Sequence, residues 1–273
     1  MFGKGGWLRR VASLADAAAA KQETPSPPIV RLARPEDYDR ILDLGRDAFR
    51  HDPAFLYFVG AKDKEVTEGG LSEAKEAQLR SLLEVLLKSV LYLKGRITAV
   101  VDPSQDKILA AVLWLPPNKR VELQQFRLLL QSGILGIVKN WGLSTLLRTR
   151  IEWLDAAHTT FVEMYKRKGI TKESADDSWF LLSAMIDPLS EHRGFMSLLM
   201  EDAFANGPND SFTLVATTAR LKDQYASFGY DLLSTYKVGE GKADCRGLPA
   251  SGKEAVGVDC YAMVKWAPGL TLL

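Results

Sequence analysis

The feature that most constrains this chain is an apolar run that leads through a short polar loop into a helical pattern. Residues 178–187 read SWFLLSAMID, which is nearly continuous in apolar residues and long enough for a central strand. DPLSEHRGFMSLLMEDAF (187–204) follows and contains one glycine, Gly194. The first N–H groups of a helix lack internal partners and carry partial positive charge. A strand, a loop and a helix in this order therefore create a potential anion site.

Two interpretations of this loop are open from its own residues. Gly194 removes the side chain that would block backbone approach to a phosphate, and Arg193 could add a cation. Alternatively, Ser190 is an ordinary helix N-cap and Arg193 is solvated. The local residues by themselves favour the cap, because any helix that starts after a strand shows this pattern.

The order of the remaining elements predicts a mixed α/β sheet. Strands are expected at 29–33, 96–101, 107–115, 178–187, 211–217, 230–238 and 258–266. Helices are expected at 35–50, 72–93, 191–206 and 219–228, with a short aromatic helix or loop at 52–60. Because strands alternate with helices after a hairpin, one sheet is expected rather than segregated domains.

Domain boundaries are expected at the Pro-rich linker. Residues 1–28 form an extension and linker, and 29–273 form a single domain with a helical insert at about 116–177. The insert is punctuated by Gly133, Gly136 and Gly142, which predicts two or three helices in it.

Composition excludes several classes of partner. The 273 residues are 47% hydrophobic and 25% charged with a formal charge of +1, so no general nucleic-acid partner is expected. No apolar run approaches a membrane span, so no membrane partner is expected. Two cysteines and three isolated histidines show no metal-ligand spacing, so no metal is expected.

The N-terminus leaves localisation open between two compartments. Lys4, Arg9 and Arg10 precede the first acidic residue, Asp16, which resembles a mitochondrial presequence. The polar stretch KQETPSPP after it also suits a plain linker. A cytoplasmic protein is expected, with a mitochondrial one as the alternative.

Three stretches together resemble the GCN5-related N-acetyltransferase (GNAT) superfamily, and specifically its fungal and actinobacterial small-molecule branch. VRLARPEDYDRILDLGRDAF (30–49) resembles the family's opening strand and helix. MIDPLSEHRGFMSLLMEDAF (185–204) resembles its Q/R-x-x-G-x-G/A pyrophosphate loop, and ATTARLKDQYASFGYDLLSTYKV (216–238) resembles its last helix with the Tyr-x-x-x-Gly-Phe/Tyr ending. Two loop positions depart from the family pattern, where Glu191 replaces Gln/Arg and Met196 replaces a small residue.

The resemblance implies a mixed, mostly antiparallel sheet flanked by helices, with the insert between strands 3 and 4. It implies an acetyl-CoA-dependent N-acetyltransferase whose small amine substrate attacks the thioester directly. The alternatives are a degenerate member that binds coenzyme A or a metabolite without turnover, and an enzyme that uses a hydroxyl acceptor or another acyl-thioester reaction. The oligomeric state, monomer or homodimer, is left open.

The same resemblance implies the site residues. The cofactor-binding residues are expected to be Met185, Ile186, Asp187, Leu189, Glu191, His192, Arg193, Gly194, Phe195, Met196 and Ser197. Tyr225 is expected to donate a proton to the leaving thiolate, since a phenol is protonated at neutral pH. The base that deprotonates the amine is left open among His158, Glu163, Ser183 and a water relay.

Aromatic residues are concentrated where this resemblance places the acceptor. They are Phe55, Tyr57, Phe58, Trp114, Trp153, Phe161 and Tyr165. A hydrophobic, partly lidded pocket suits a small organic amine. The alternative for each aromatic residue is that it fills the core between the insert and the sheet.

Overall fold

The computed structural model describes residues 27–120 and 148–270, which form one seven-stranded sheet with helices on both faces. The sheet strands are β1 Ile29–Leu32, β2 Arg96–Asp102, β3 Lys107–Leu115, β4 Trp179–Ile186, β5 Phe212–Ala216, β6 Asp231–Val238 and β7 Val258–Lys265. The α-helices are α1 Tyr38–Phe49, α2 Pro53–Val59, α3 Glu73–Tyr92, α4 Ala156–Arg167, α5 Phe195–Asn206 and α6 Ala219–Ser227. A π-helical segment, Arg148–Asp155, leads into α4, and a two-stranded hairpin joins Val66–Thr67 to Gly70–Leu71.

The strand order is β1-β2-β3-β4-β5-β7-β6. In the described part of the chain β4 and β5 are the one parallel pair, and the other neighbours run antiparallel. The expectation of a mixed, mostly antiparallel sheet flanked by helices is confirmed.

Two hydrophobic clusters hold the helices against the sheet. The first cluster joins α1, α2, α3 and α4 to one face, and the second joins α5 and α6 to the other. Leu79, Leu82, Leu83 and Leu86 show how the first cluster forms, because their spacing places them on one side of α3 and all are at most 4% exposed. Each buried leucine contributes roughly 1.5–3 kcal/mol to the free energy of unfolding.

The central strands separate partway along their length. β4 and β5 pair only at Trp179–Phe212, Phe180–Thr213 and Leu181–Leu214. Next on β4, Leu182 is an extra residue in the ladder with β3, because Leu113 lies opposite Ser183 while Trp114 lies opposite Leu181. Such a bulge bends a strand. β4 from this point pairs with β3 alone, so a gap opens between the carboxyl ends of β4 and β5.

Element boundaries agree with the sequence expectations except at one place. The helix expected at 191–206 begins at Phe195 instead. His192 and Gly194 have φ of 64° and 79°, so the chain between β4 and α5 is left-handed at two positions and cannot be helical there. The loop is therefore longer than the sequence pattern indicated.

Other expectations fall partly or wholly outside the described residues. The presequence-like segment lies in 1–26, and the glycine-punctuated part of the insert lies in 121–147. Of the helices that are described, none has the length and apolarity needed to cross a membrane.

Candidate functional site

A cleft of about 510 Å³ lies where β4 and β5 separate. Its walls come from the end of β4, the loop before α5, the first turns of α5 and α6, and the junction of α1 with α2. The lining residues are Ala48, Phe49, His51, Asp52, Pro53, Ala184, Ile186, Ser190, Glu191, His192, Arg193, Gly194, Phe195, Met196, Ser197, Thr218, Arg220, Leu221 and Gln224. The volume is in the range of small-molecule sites.

The start of α5 forms one end of this cleft. Gly194 is the N-cap, and its carbonyl accepts the first helical hydrogen bond, from the Leu198 N–H at 3.2 Å. The N–H groups of Phe195, Met196 and Ser197 belong to the first helical turn, which has no intrahelical acceptors. Ser190 is not the cap, since it ends a short 3₁₀ turn, Pro188–Ser190. The structure thus decides against the simple cap and leaves the helix start facing the cleft.

Asp187 holds the start of the loop through contacts with Lys107 and the Leu189 backbone. Its carboxylate forms an ion pair with Lys107, and Oδ1 accepts the Leu189 N–H at 3.0 Å. Burial disfavours the charged form, but these two interactions lower the pKa of Asp187 overall. Asp187 therefore holds the turn and does not line the cleft.

Arg220 neutralises the unexpected acid in the loop. Glu191 Oε2 lies 3.1 Å from Arg220 Nη1 and 3.2 Å from Nη2, and 3.9 Å from His192 Nε2. The Arg193 guanidinium lies 5.3 Å from the centre of the Phe195 ring. Two guanidinium groups, those of Arg193 and Arg220, therefore line the cleft beside the α5 start, and with the helix N-terminus they make this part of the cleft suitable for an anionic group.

Some of the other expected cofactor-binding residues line the cleft, and others direct their side chains into the core or into solvent. The Met196 side chain is 5% exposed and packs into the second cluster, so its bulk is directed into the core. Ile186 lines the cleft, whereas Met185 packs into the first cluster on the opposite face. Leu189 is 91% exposed and lies outside the cleft lining.

Tyr225 is buried in the second cluster and is not among the residues that line the described cleft. It is one turn after Leu221, which lines the cleft together with Gln224. Its ring centre is 5.8 Å from that of Tyr230. Burial raises the pKa of the Tyr225 hydroxyl, so the phenol is protonated throughout the neutral range.

None of the three side chains considered as bases lines the described cleft. His158 Nε2 lies 3.2 Å from Asp176 Oδ1 at a separate pocket of about 120 Å³. Glu163 is exposed and pairs with Arg167 at 3.5 Å. Ser183 is buried, and its Oγ has no hydrogen-bond partner among the described residues.

The expected aromatic lining is largely core. Phe55, Tyr57, Phe58 and Trp153 are at most 4% exposed in the first cluster, and Trp114 is 1% exposed on the opposite face of the sheet. Phe161 lines the separate small pocket, and Tyr165 lines a groove at the end of α4. The physical reason is packing, since a short helix between the sheet and the insert buries its aromatic residues on several sides.

Sequence reasoning missed the carboxylate that the structure brings to the cleft. Asp52 Oδ1 accepts the N–H groups of Ala54 (2.9 Å) and Phe55 (3.2 Å), and Oδ2 accepts the Thr217 hydroxyl (2.6 Å). Burial raises the pKa of Asp52 despite these hydrogen bonds. The available signal was the sequence HDPAF, in which Asp before Pro is typical of an N-cap followed by the first helical residue.

No family model matches the sequence, and no curated protein matches it either. A metal-binding group of three or more His, Cys, Asp and Glu side chains is not found within 27–120 and 148–270.

Solved acetyltransferase structures do resemble the chain. A histone acetyltransferase HPA2 and related acetyltransferase from Corynebacterium glutamicum superposes with a TM-score of 0.56 at 20% identity, covering 89% of this chain and 98% of that one. A putative arylalkylamine N-acetyltransferase 7 from Aedes aegypti gives 0.54 at 12% identity, covering 86% and 85%. Arylalkylamine N-acetyltransferase 2 from Aedes aegypti gives 0.51 at 12%, covering 88% and 99%. The chain therefore shares the fold of these acetyltransferase structures.

Proposed function

We propose that this chain is an acyl-CoA-dependent N-acyltransferase that uses acetyl-CoA as donor and a small amine-bearing metabolite or xenobiotic as acceptor. The observation that carries the proposal is the gap between β4 and β5, which opens beside the start of α5. A gap between two central strands exposes backbone groups in a concave site, and the helix start supplies N–H donors for an anion.

The α5 end would hold the diphosphate of the donor. The backbone N–H groups of Phe195, Met196 and Ser197 would donate to phosphate oxygens, and Arg193 and Arg220 would add positive charge. Bound acetyl-CoA would supply the activated acyl group. Gly194 has no side chain on this surface. A Cβ at this position would meet no protein atom within 4 Å, so it would project into the open space of the cleft.

The strand gap would orient the donor's amide-bearing arm. After Leu181 the backbone of β4 has no partner on its β5 side, while its other side remains paired with β3. Ala184 and Ile186 contribute apolar contacts from the same stretch. Free backbone donors and acceptors beside an apolar wall suit an arm that alternates amide and methylene groups.

Tyr225 would supply the proton that the leaving thiolate needs. Its buried hydroxyl is protonated at neutral pH because its pKa is raised, so it can donate when negative charge develops nearby. Two contacts support binding despite the residues that suggested a degenerate protein: Glu191 is paired with Arg220, and the Met196 side chain packs in the second cluster.

Two measurements test the proposal. Isothermal titration of the full chain with acetyl-CoA should show saturable binding in the micromolar range, and free thiol should be released when a panel of small primary amines is added. Absence of binding up to millimolar acetyl-CoA would remove the donor assignment. Binding without thiol release from any amine would favour a protein that binds without turnover.

A further inference from the structure

A small cavity of about 120 Å³ lies beside the amino ends of β4 and β5, whereas the cleft lies at their carboxyl ends. Phe180 and Thr213, the second residues of these strands, line it on the sheet side. On the other side α4 covers it with Ala157, His158 and Phe161. Among the described residues, the small cavity and the cleft have no lining residue in common. The small cavity is therefore separate from the site proposed for acetyl-CoA.

The interior of the small cavity is apolar. Five residues that line it are each at most 6% exposed, namely Leu115, Ala157, Phe161, Ala175 and Phe180. Because close-packed cores contain few voids larger than a water molecule, an apolar space of this size indicates room for a ligand. An apolar cavity of about 150 Å³ binds benzene, so the small cavity has room for about four or five non-hydrogen atoms.

Asp176 brings a carboxylate oxygen that lacks a donor to the small cavity. Its side chain is 35% exposed and so lies between the apolar interior and solvent. The Oδ1 atom itself is buried and accepts no hydrogen bond from the described residues. His158 Nε2 lies 3.2 Å and Arg120 Nε 3.4 Å from this atom, but neither has the direction of a hydrogen bond. A buried acceptor without a donor is unfavourable, so an added N–H donor at Oδ1 would be stabilising.

The other donors of Arg120 are used by backbone carbonyl groups. Nη1 donates to the Pro116 oxygen at 3.3 Å and to the Lys119 oxygen at 3.1 Å. Nη2 donates to the oxygens of Ala175 and Ser178 at 3.1 and 3.0 Å. The guanidinium is therefore fixed in the wall of the small cavity, and these donors are not available to an anionic ligand.

We infer that the small cavity binds a small alkylammonium ion with one positive charge. Its carbon chain would fill the apolar interior, and its ammonium group would donate a hydrogen bond to Asp176 Oδ1. Asp155 is a second carboxylate on the same lining. An anion of the same shape would be repelled by Asp176, and a neutral molecule would gain no attraction between opposite charges. This site goes beyond the proposed function, because it requires neither acetyl-CoA nor acyl transfer.

Three ligands of matched shape test the chemical class. Isobutylamine, isobutanol and isobutyrate share one branched carbon skeleton and are positive, neutral and negative at pH 7. Isothermal titration of the full chain without acetyl-CoA should show saturable binding of isobutylamine, at least tenfold weaker binding of isobutanol, and no binding of isobutyrate. Equal affinity for the amine and the alcohol would overturn the requirement for a cation, and absence of binding by all three would overturn the site.

Ala157→Leu tests the location, because the longer side chain would fill the small cavity. The variant should lose isobutylamine binding while its Kd for acetyl-CoA stays within twofold. Its melting temperature should not fall, since the added carbons enter empty space, whereas the same change in a filled core is destabilising. Isobutylamine binding that persists in Ala157→Leu would mean that the amine binds elsewhere and would overturn the assignment.

Asp176→Asn tests the carboxylate, and Asp177→Asn is its matched control. Both substitutions remove one negative charge, at adjacent positions, but Asp177 is not among the described residues that line the small cavity and accepts the Ser174 N–H at 2.7 Å. Isobutylamine affinity should fall at least tenfold in Asp176→Asn and stay within twofold in Asp177→Asn. Equal affinities in the two variants would overturn the role of Asp176.

The outcomes separate this inference from the proposed function. All the amine titrations are made without acetyl-CoA, so a chain that binds no acetyl-CoA or releases no thiol would still be able to bind isobutylamine in the small cavity. Conversely, failure of isobutylamine binding would overturn this inference and leave the acetyl-CoA assignment of the cleft intact.

Discussion

Substitution of Gly194 by alanine separates backbone strain from obstruction of the anion site. Gly194 has φ of +79°, and a Cβ built on it meets no atom within 4 Å. A left-handed backbone raises the energy of an alanine by about 1–2 kcal/mol, which for a chain of this size lowers the melting temperature by roughly 2–8 °C. The new methyl group would also stand on the surface from which the first N–H groups of α5 reach a phosphate.

Gly169→Ala is the matched control for strain. Gly169 follows α4, has φ of +67°, is exposed, and likewise has no atom within 4 Å of a built Cβ. Both variants should lose a similar amount of thermal stability. Isothermal titration should show acetyl-CoA binding weakened at least tenfold in Gly194→Ala, equivalent to about 1.4 kcal/mol, and unchanged in Gly169→Ala. Equal affinity in the two variants would refute the assignment of the α5 start as the phosphate site.

Three further changes test the remaining parts of the site. Tyr225→Phe should lower kcat about 100-fold with little change in the Kd for acetyl-CoA. Tyr230→Phe, which changes the neighbouring buried ring, should leave kcat unchanged. Equal effects of the two substitutions on kcat would remove the proton-donor role of Tyr225. Arg220→Ala should weaken acetyl-CoA binding about fivefold, because the unpaired charge of Glu191 would repel the donor's phosphates by roughly 1 kcal/mol in water-like surroundings. In titrations of the double variant, adding Glu191→Gln should restore part of the lost affinity. Asp187→Asn should lower the melting temperature at pH 7. Because the pKa of Asp187 is lowered in the folded chain, this carboxylate stabilises the fold above the ordinary aspartate pKa, and the stabilisation is lost as the pH falls through the folded pKa. The difference in melting temperature between the variant and the wild type should therefore vanish in acid.

Local patterns in the sequence predicted most of the elements. The apolar run before Asp187 is β4, the hairpin around Asp102 joins β2 to β3, and the helix over 72–93 matches α3 within a residue at each end. These elements depend on side-chain periodicity and turn chemistry, which are properties of neighbouring residues. The start of α5 was misplaced by four residues because the left-handed conformation of His192, a residue other than glycine, has no clear sequence signal.

The site itself was only partly predictable. Of the cofactor-binding residues that the resemblance implied, Ile186 and 191–197 line the cleft, whereas most of the aromatic residues it assigned to the acceptor wall pack in the core. A hydrophobic side chain at helical spacing has the same appearance in sequence whether it faces a cleft or a neighbouring helix. Only the packing of α2 against the π-helical segment and α1 shows that Phe55 is buried.

The sequence by itself determined the order of strands and helices and the position of Gly194, because both follow from residues close together in the chain. Only the tertiary structure decided the electrostatics of the cleft. Glu191 is neutralised by Arg220 from a different helix, and Asp52 is fixed by Thr217, 165 residues away. Charge and pKa depend on distances in space, and no local pattern encodes which distant side chains will meet.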